Sequence, residues 1–219
     1  MRRTLFVLVL LALLTSLGSY AQTKEIYTNP AFATIAKEHK KLAILPFEAS
    51  IGMRPNQMKT MTPERIKEIE KNEGLAVQSA LQTYFLKESG KDDYTVSFQD
   101  ANTTNALLLK NNITAENIKS FTPGELAKVL GVDGLIMGTF KTDKPMSDGA
   151  SLALGLAVGF YGATNSGKTA INIYDGGSGE LLWKYEKTLS RGLGSDTSTI
   201  INTIMRKASK RFPYSKLKA

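Results

Sequence analysis

Two apolar runs of strand length constrain the fold of this chain most. They are Leu42-Ala43-Ile44-Leu45-Pro46-Phe47 and Gly134-Leu135-Ile136-Met137-Gly138-Thr139-Phe140, which contain almost no polar side chain. A strand that is apolar on both sides is buried on both faces, as in the centre of a parallel sheet. Pro46 marks the end of the first run, because proline cannot donate to a ladder. Tyr94-Thr95-Val96-Ser97-Phe98 alternates with period two and predicts a half-buried strand.

Helical patterns separate these runs. Thr62-Pro63-Glu64 opens a helix with an N-cap, a proline at the first position and an acid in the first turn. Val77, Leu81, Tyr84 and Phe85 form its apolar stripe, Gly74 is a candidate interruption and Gly90 its stop. Residues 102–110 read as a short helix. Thr122-Pro123-Gly124-Glu125 is a capping box, with Leu126, Val129 and Leu130 as the apolar face and Gly131 as the stop. Strands alternating with helices predict right-handed crossovers and a parallel sheet core.

The last third differs. Residues 169–174 and 181–186 are strand-like, and Asp175-Gly176-Gly177-Ser178-Gly179 between them is a turn signal, so they form an antiparallel hairpin. A final helix starts at Ser195 or Asp196. Ile201, Ile204, Met205, Ala208 and Phe212 make its apolar side, and Arg206, Lys207, Lys210 and Arg211 a basic one that also suits the helix dipole. The expected class is α/β: a mixed sheet of about five strands packed against helices. The first three strands are parallel through helical crossovers and the last two are the hairpin.

The amino terminus reads as an export signal. Arg2 and Arg3 precede an unbroken apolar run over residues 5–14, too short for a permanent membrane span, and Ser19-Tyr20-Ala21 places cleavage between Ala21 and Gln22. The division expected is a signal peptide over 1–21, an extended polar lead-in over 22–40, and a single domain over 41–215 with an apolar, glycine-rich insertion at 147–168. The mature chain is long enough for one well-buried core. It holds no cysteine, hence no disulfide, thiol nucleophile or thiolate metal site.

The formal net charge of +8 favours acidic surfaces such as lipid headgroups or cell-wall polymers. The basic residues are scattered and no aromatic-basic motif accompanies them, which argues against nucleic acid as a partner. The only histidine, His39, stands among lysines and reads as solvated. Met53, Met58 and Met61 share a loop, with core filling the expected role.

One motif invites an enzyme. Gly162-Ala163-Thr164-Asn165-Ser166-Gly167-Lys168-Thr169 matches the phosphate-binding pattern G-x-x-x-x-G-K-[ST]. A true phosphate loop opens a helix whose free amides and dipole hold the anion. Here Thr169-Ala170-Ile171-Asn172-Ile173-Tyr174 alternates and is rich in β-formers, so a strand is expected. Gly162, Gly167, Lys168 and Thr169 are accordingly read as a coincidental match. No nucleophile elbow or two-histidine zinc motif is present either. Neither catalytic residue, metal nor cofactor is expected.

Residues 151–161 are the candidate interaction surface. Leu152, Leu154, Leu156, Val158 and Phe160 alternate with serine, alanine and glycine. The alternation has the length of a membrane β-strand, whereas Gly155 and Gly159 have the spacing of close helix packing. A buried or surface-docked segment is favoured over one inserted in a bilayer, since a barrel strand needs paired neighbours.

Three stretches together resemble a known family. The strand at Lys41-Leu42-Ala43-Ile44-Leu45-Pro46-Phe47 is similar to the opening of domains related to the TolB amino-terminal domain, a group that includes the curli-secretion (CsgG-like) lipoproteins and the lipoprotein activators of penicillin-binding proteins. Residues 126–138, a helix followed by Gly131-Val132-Asp133-Gly134-Leu135-Ile136-Met137-Gly138, resemble their helix and strand. Ile171-Asn172-Ile173-Tyr174-Asp175 with Ser178-Gly179-Glu180-Leu181-Leu182-Trp183 resembles their hairpin. The resemblance implies an α/β domain in a periplasmic accessory or assembly protein, without enzyme activity. An envelope protein or outer-membrane component is then the implied partner, with peripheral membrane contact as an option. Unlike the lipoprotein members, this chain has no cysteine to carry a lipid. A subunit of an outer-membrane secretion complex is the alternative, and a phosphate-loop enzyme the disfavoured third.

Overall fold

The computed structural model describes residues 24–52, 59, 61–92, 94–142, 166–190 and 197–215. Its strands are β1 (Lys24–Thr28), β2 (Lys41–Ile44), β3 (Glu48–Ile51), β4 (Ser97–Phe98), β5 (Gly134–Thr142), β6 (Ser166–Asp175) and β7 (Leu181–Ser190). Its helices are α1 (Phe32–Ile35), α2 (Pro63–Asp92), α3 (Ala101–Lys110), α4 (Pro123–Leu130) and α5 (Thr197–Ser209), with short 3₁₀ turns at Ala36–Glu38 and Ile118–Ser120.

The seven strands form one mixed sheet in the order β1-β7-β6-β5-β2-β4, and β3 pairs with the far half of β5. β2 is parallel to both β4 and β5, as the alternation of strands and helices predicts. β5, β6 and β7 are antiparallel, and the hairpin turns at residues 175–180. The expected class is therefore observed, with two strands added. β3 continues the line of β2 past a break at Pro46, and β1 extends the sheet beyond β7.

Helices cover both sides of the parallel region. α2 and α5 lie on one face, where Val77, Leu81 and Phe85 meet Ile44, Ile136 and Ile171, together with Ile200, Ile204 and Met205. α3 and α4 lie on the other over β2 and β5, where Leu108, Leu126 and Leu130 pack on Ala43, Leu45 and Leu135. This two-sided cover explains why Leu42, Ala43, Ile44 and Leu45 are all buried.

Local chemistry sets several of the boundaries. The Thr122 side chain accepts from the Glu125 amide, and the Glu125 carboxylate accepts from the Thr122 amide at 2.7 Å, completing the predicted capping box. Gly131 closes that helix in the left-handed region at φ 65°. Asp100 caps α3 by accepting from the amides of Asn102 and Thr103.

Four expectations need correction. Residues 22–40 are not an extended lead-in over their described part, because Lys24–Thr28 is a paired strand and residues 32–38 are helical. Gly74 does not interrupt α2 and Gly90 does not end it; both are helical, and Gly74 allows a close approach to Phe47 at the break between β2 and β3. Of residues 94–98 only Ser97 and Phe98 are strand. The insertion expected at 147–168 cannot extend that far, since Ser166, Gly167 and Lys168 already belong to β6. Leu152, Leu154, Leu156, Val158, Phe160 and Gly162 lie outside the described residues, as do Met53, Met58, the residues expected to cap α5 and the segment read as a signal peptide.

Candidate functional site

Lys168 is the third residue of β6, facing Lys141 of β5 on one side and Thr188 of β7 on the other. The amides of such a strand point alternately to its two neighbours. The amides that follow Lys168 are thus engaged in the sheet and do not converge on one point. The side chains diverge too. Thr169 is buried and its Oγ1 donates to the Thr139 carbonyl at 2.9 Å. Gly167 lies under α5, where an added Cβ would stand 2.6 Å from Ile200. Lys168 is 60% exposed with its ammonium 3.8 Å from Glu186, whose other oxygen meets the Lys184 ammonium at 2.6 Å. The Lys184 hydrogen bond is the main cause that holds the Glu186 carboxyl below its ordinary pKa.

A second cluster was not expected from the sequence. His39 is buried, 5% exposed, contrary to its reading as solvated. Its Nε2 lies 2.8 Å from the Asp175 carboxylate and its Nδ1 2.6 Å from the Tyr214 hydroxyl. The consistent assignment is Nε2–H donating to Asp175 and the Tyr214 hydroxyl donating to Nδ1. The lysines beside His39 misled because neighbouring side chains on an irregular segment point different ways. Lys37, Lys40 and Lys41 remain exposed while the ring between them turns inward.

The acids here are held by backbone amides. Asp175 Oδ2 accepts from the Ser178 amide, and one Asp133 oxygen accepts from the amides of Lys40 and Lys41, each at 2.8 Å. For both acids burial pushes the pKa up, but hydrogen bonds to the charged form outweigh it and the carboxyls stay below their ordinary value. Burial, reinforced by the charges of Asp175 and Asp133, pushes the Tyr214 hydroxyl well above its ordinary value.

Tyr214, His39 and Asp175 have the connectivity of a hydroxyl–imidazole–carboxylate relay, but the hydroxyl that would have to reach a substrate belongs to a residue only 2% exposed. The arrangement joins three distant parts of the chain: the approach to β2, the end of β6 and the segment after α5. Its chemistry is that of a satisfied buried polar network.

Glu73 is a different case. It lies on the inward face of α2 between Ile69 and Val77, is 4% exposed, and its Oε1 meets no donor among the described residues. Burial alone pushes its carboxyl up to about 7. Among the described residues no group of three or more acidic or histidine side chains is placed to hold a metal, and no helix is long and apolar enough to cross a membrane.

Fold and cluster together define a mixed α/β protein in which a buried histidine is hydrogen-bonded to a half-buried aspartate. No protein-family model matches the chain, and no curated protein matches it. Among solved structures it is similar to the PelC dodecamer of Paraburkholderia phytofirmans, with a TM-score of 0.43 and 13% identity over 85% of this chain and 94% of that one. It is also similar to lipoprotein GNA1162 of Neisseria meningitidis, with a TM-score of 0.44 and 12% identity over 81% of this chain and 99% of that one. The LpoB C-terminal domain of Salmonella enterica gives a TM-score of 0.35 and 7% identity over 74% and 94% of the two chains. At such identities no residue role passes from those proteins to this one.

Proposed function

We propose that this chain is an exported accessory protein of the bacterial cell envelope, related to the TolB amino-terminal-domain and curli-secretion group, and that it acts by binding other envelope components without catalysis. The basic n-region, apolar run and small residues before Gln22 support export. One observation carries the non-catalytic part: the residues that would form a phosphate loop's helix are strand β6, paired on both sides. The network at His39 supports the same reading, because both ring nitrogens are already engaged below the surface.

Two measurements on the full chain test this. Expressed with its leader in a bacterium, the protein should be recovered from the envelope fraction beginning at Gln22, and a carbonate wash should release it. Retention after that wash would favour an inserted outer-membrane subunit, and intact protein from the cytosol would overturn the reading. ATP should not bind, and Lys168→Ala should leave stability within about 0.5 kcal/mol of the parent, as at other exposed sites. ATP binding that Lys168→Ala abolishes would restore the enzyme.

A further inference from the structure

The sheet ends differently on its several edges. β4 is two residues long and leads directly to the capped start of α3, so it offers almost no edge. β3 is covered by α2: the Phe47 amide donates to the Gly74 carbonyl at 3.2 Å and the Ile51 amide to Glu70 at 3.2 Å. Among the described residues β1 has neither protection. It pairs with β7 in unbroken register, Glu25 with Glu186 through Thr28 with Trp183, and contains no proline or bulge. Proteins ordinarily blunt such edges, because unpaired amides and carbonyls are a template for another strand.

The direction of each β1 amide follows from the ladder. The Asn29 amide donates to the Leu182 carbonyl at 2.8 Å, one step beyond the Thr28–Trp183 pair. Antiparallel ladders alternate, so Tyr27 and Glu25 also bond toward β7, and Lys24, Ile26 and Thr28 turn their amides and carbonyls outward. Among the described residues nothing meets those outward groups. Two of the largest exposed apolar side chains flank this edge, Ile26 at 41% and Tyr27 at 45%, one on each face of the sheet.

We infer that β1 is a strand-addition site for an extended segment of a partner protein, antiparallel to β1, with a β-branched residue beside Ile26, an aromatic beside Tyr27 and a base beside Glu25. Backbone groups in a row are matched only by another extended chain. Cross-strand neighbours on the same face then select the partner. Glu25 is exposed on the outer strand, while Glu186 across the pair is already held by Lys184 and Lys168, so the charge an incoming strand meets is that of Glu25, which favours a base and disfavours an acid. A second copy of this chain fits less well. Centred on Ile26 it sets Glu25 across from Tyr27, and centred on Glu25 it opposes two acids. The inference rests on the protein-binding reading above and names the surface that such binding uses.

The probe is a short synthetic peptide with a central threonine–tyrosine–valine–lysine–threonine run, compared with its order-scrambled counterpart and followed by amide hydrogen exchange on the leaderless chain. Binding should slow exchange at Lys24, Ile26 and Thr28 by about tenfold or more at saturation and change Glu25 and Tyr27 little, since those are already in the ladder. Ile26→Pro removes only an outward amide and should abolish the effect. Unchanged exchange at millimolar peptide overturns the inference, as does equal protection by the scrambled peptide. Slow exchange at these three amides without peptide does so too, since the edge is then occupied by the chain itself. That second readout stands even where Ile26→Pro fails to fold. An envelope-located protein whose edge stays unprotected sinks this inference alone; peptide binding by a cytosolic protein sinks only the envelope assignment.

Discussion

Glu73 and His39 are both polar residues inside the fold, but their surroundings differ. His39 has a partner at each ring nitrogen, whereas Glu73 has an oxygen that no donor meets among the described residues and remains protonated to about pH 7. The sign of the consequence follows from linkage. Below 4.5, the ordinary value, both folded and unfolded chains hold the proton. Between there and about 7 the unfolded chain releases it while the folded chain keeps it, so stability falls as pH rises. The loss levels off above that window at about 3 kcal/mol. Glu73→Gln should match the parent near pH 4.5 and exceed it in urea unfolding at pH 8 by up to about 3 kcal/mol. Equal stabilities at pH 8 would show that Glu73 finds compensation elsewhere.

At the scale of elements, the contact between α2 and the β2–β3 break sets how closely helix and sheet approach. An added Cβ at Gly74 would stand 2.1 Å from the Phe47 carbonyl oxygen, a backbone atom that cannot swing aside. Gly74→Ala should therefore destabilise by about 2 kcal/mol, in spite of alanine's better helix propensity. Gly90→Ala, on the same helix with open space around it, should stabilise by about 0.5–1 kcal/mol. Opposite signs in thermal melts separate close packing from helix propensity. The sequence makes Gly74 look like a helix breaker because a glycine's local preference is visible there and its tertiary neighbour is not. The same limit hid β1: Ile26, Tyr27 and Thr28 are strand formers, but so short a run is ambiguous until Trp183 and Tyr185 lie beside it. The capping box at Thr122 was legible because every group it uses lies within one helical turn.

Across the molecule, Tyr214 links parts that are far apart in the chain. Its hydroxyl reaches His39, its carbonyl accepts from the Thr95 amide at 3.0 Å, and its ring packs against Phe32 and Phe212. Tyr214→Phe keeps the ring and leaves His39 Nδ1 without its donor, which should cost about 1–3 kcal/mol of unfolding free energy. Because these segments share one core, the loss should appear as a shift of a single denaturant transition, with fluorescence of Trp183 and circular dichroism moving together. Separate transitions by the two probes would show that the carboxyl-terminal segment unfolds on its own.

The sequence alone determined the parallel core, the hairpin and the helical crossovers, since each is written in periodicity, caps and turn residues within a short span. It also made a strand after Lys168 more plausible than a helix, for the same local reason. Only the tertiary structure decided that His39 turns inward, that Glu73 is buried with an oxygen no described residue meets, that Gly74 lets a helix touch the break between two strands, and that β1 closes one side of the sheet with no partner on its outer edge among the described residues. Those outcomes depend on which distant groups meet, and burial and hydrogen-bond satisfaction are properties of the assembled neighbourhood.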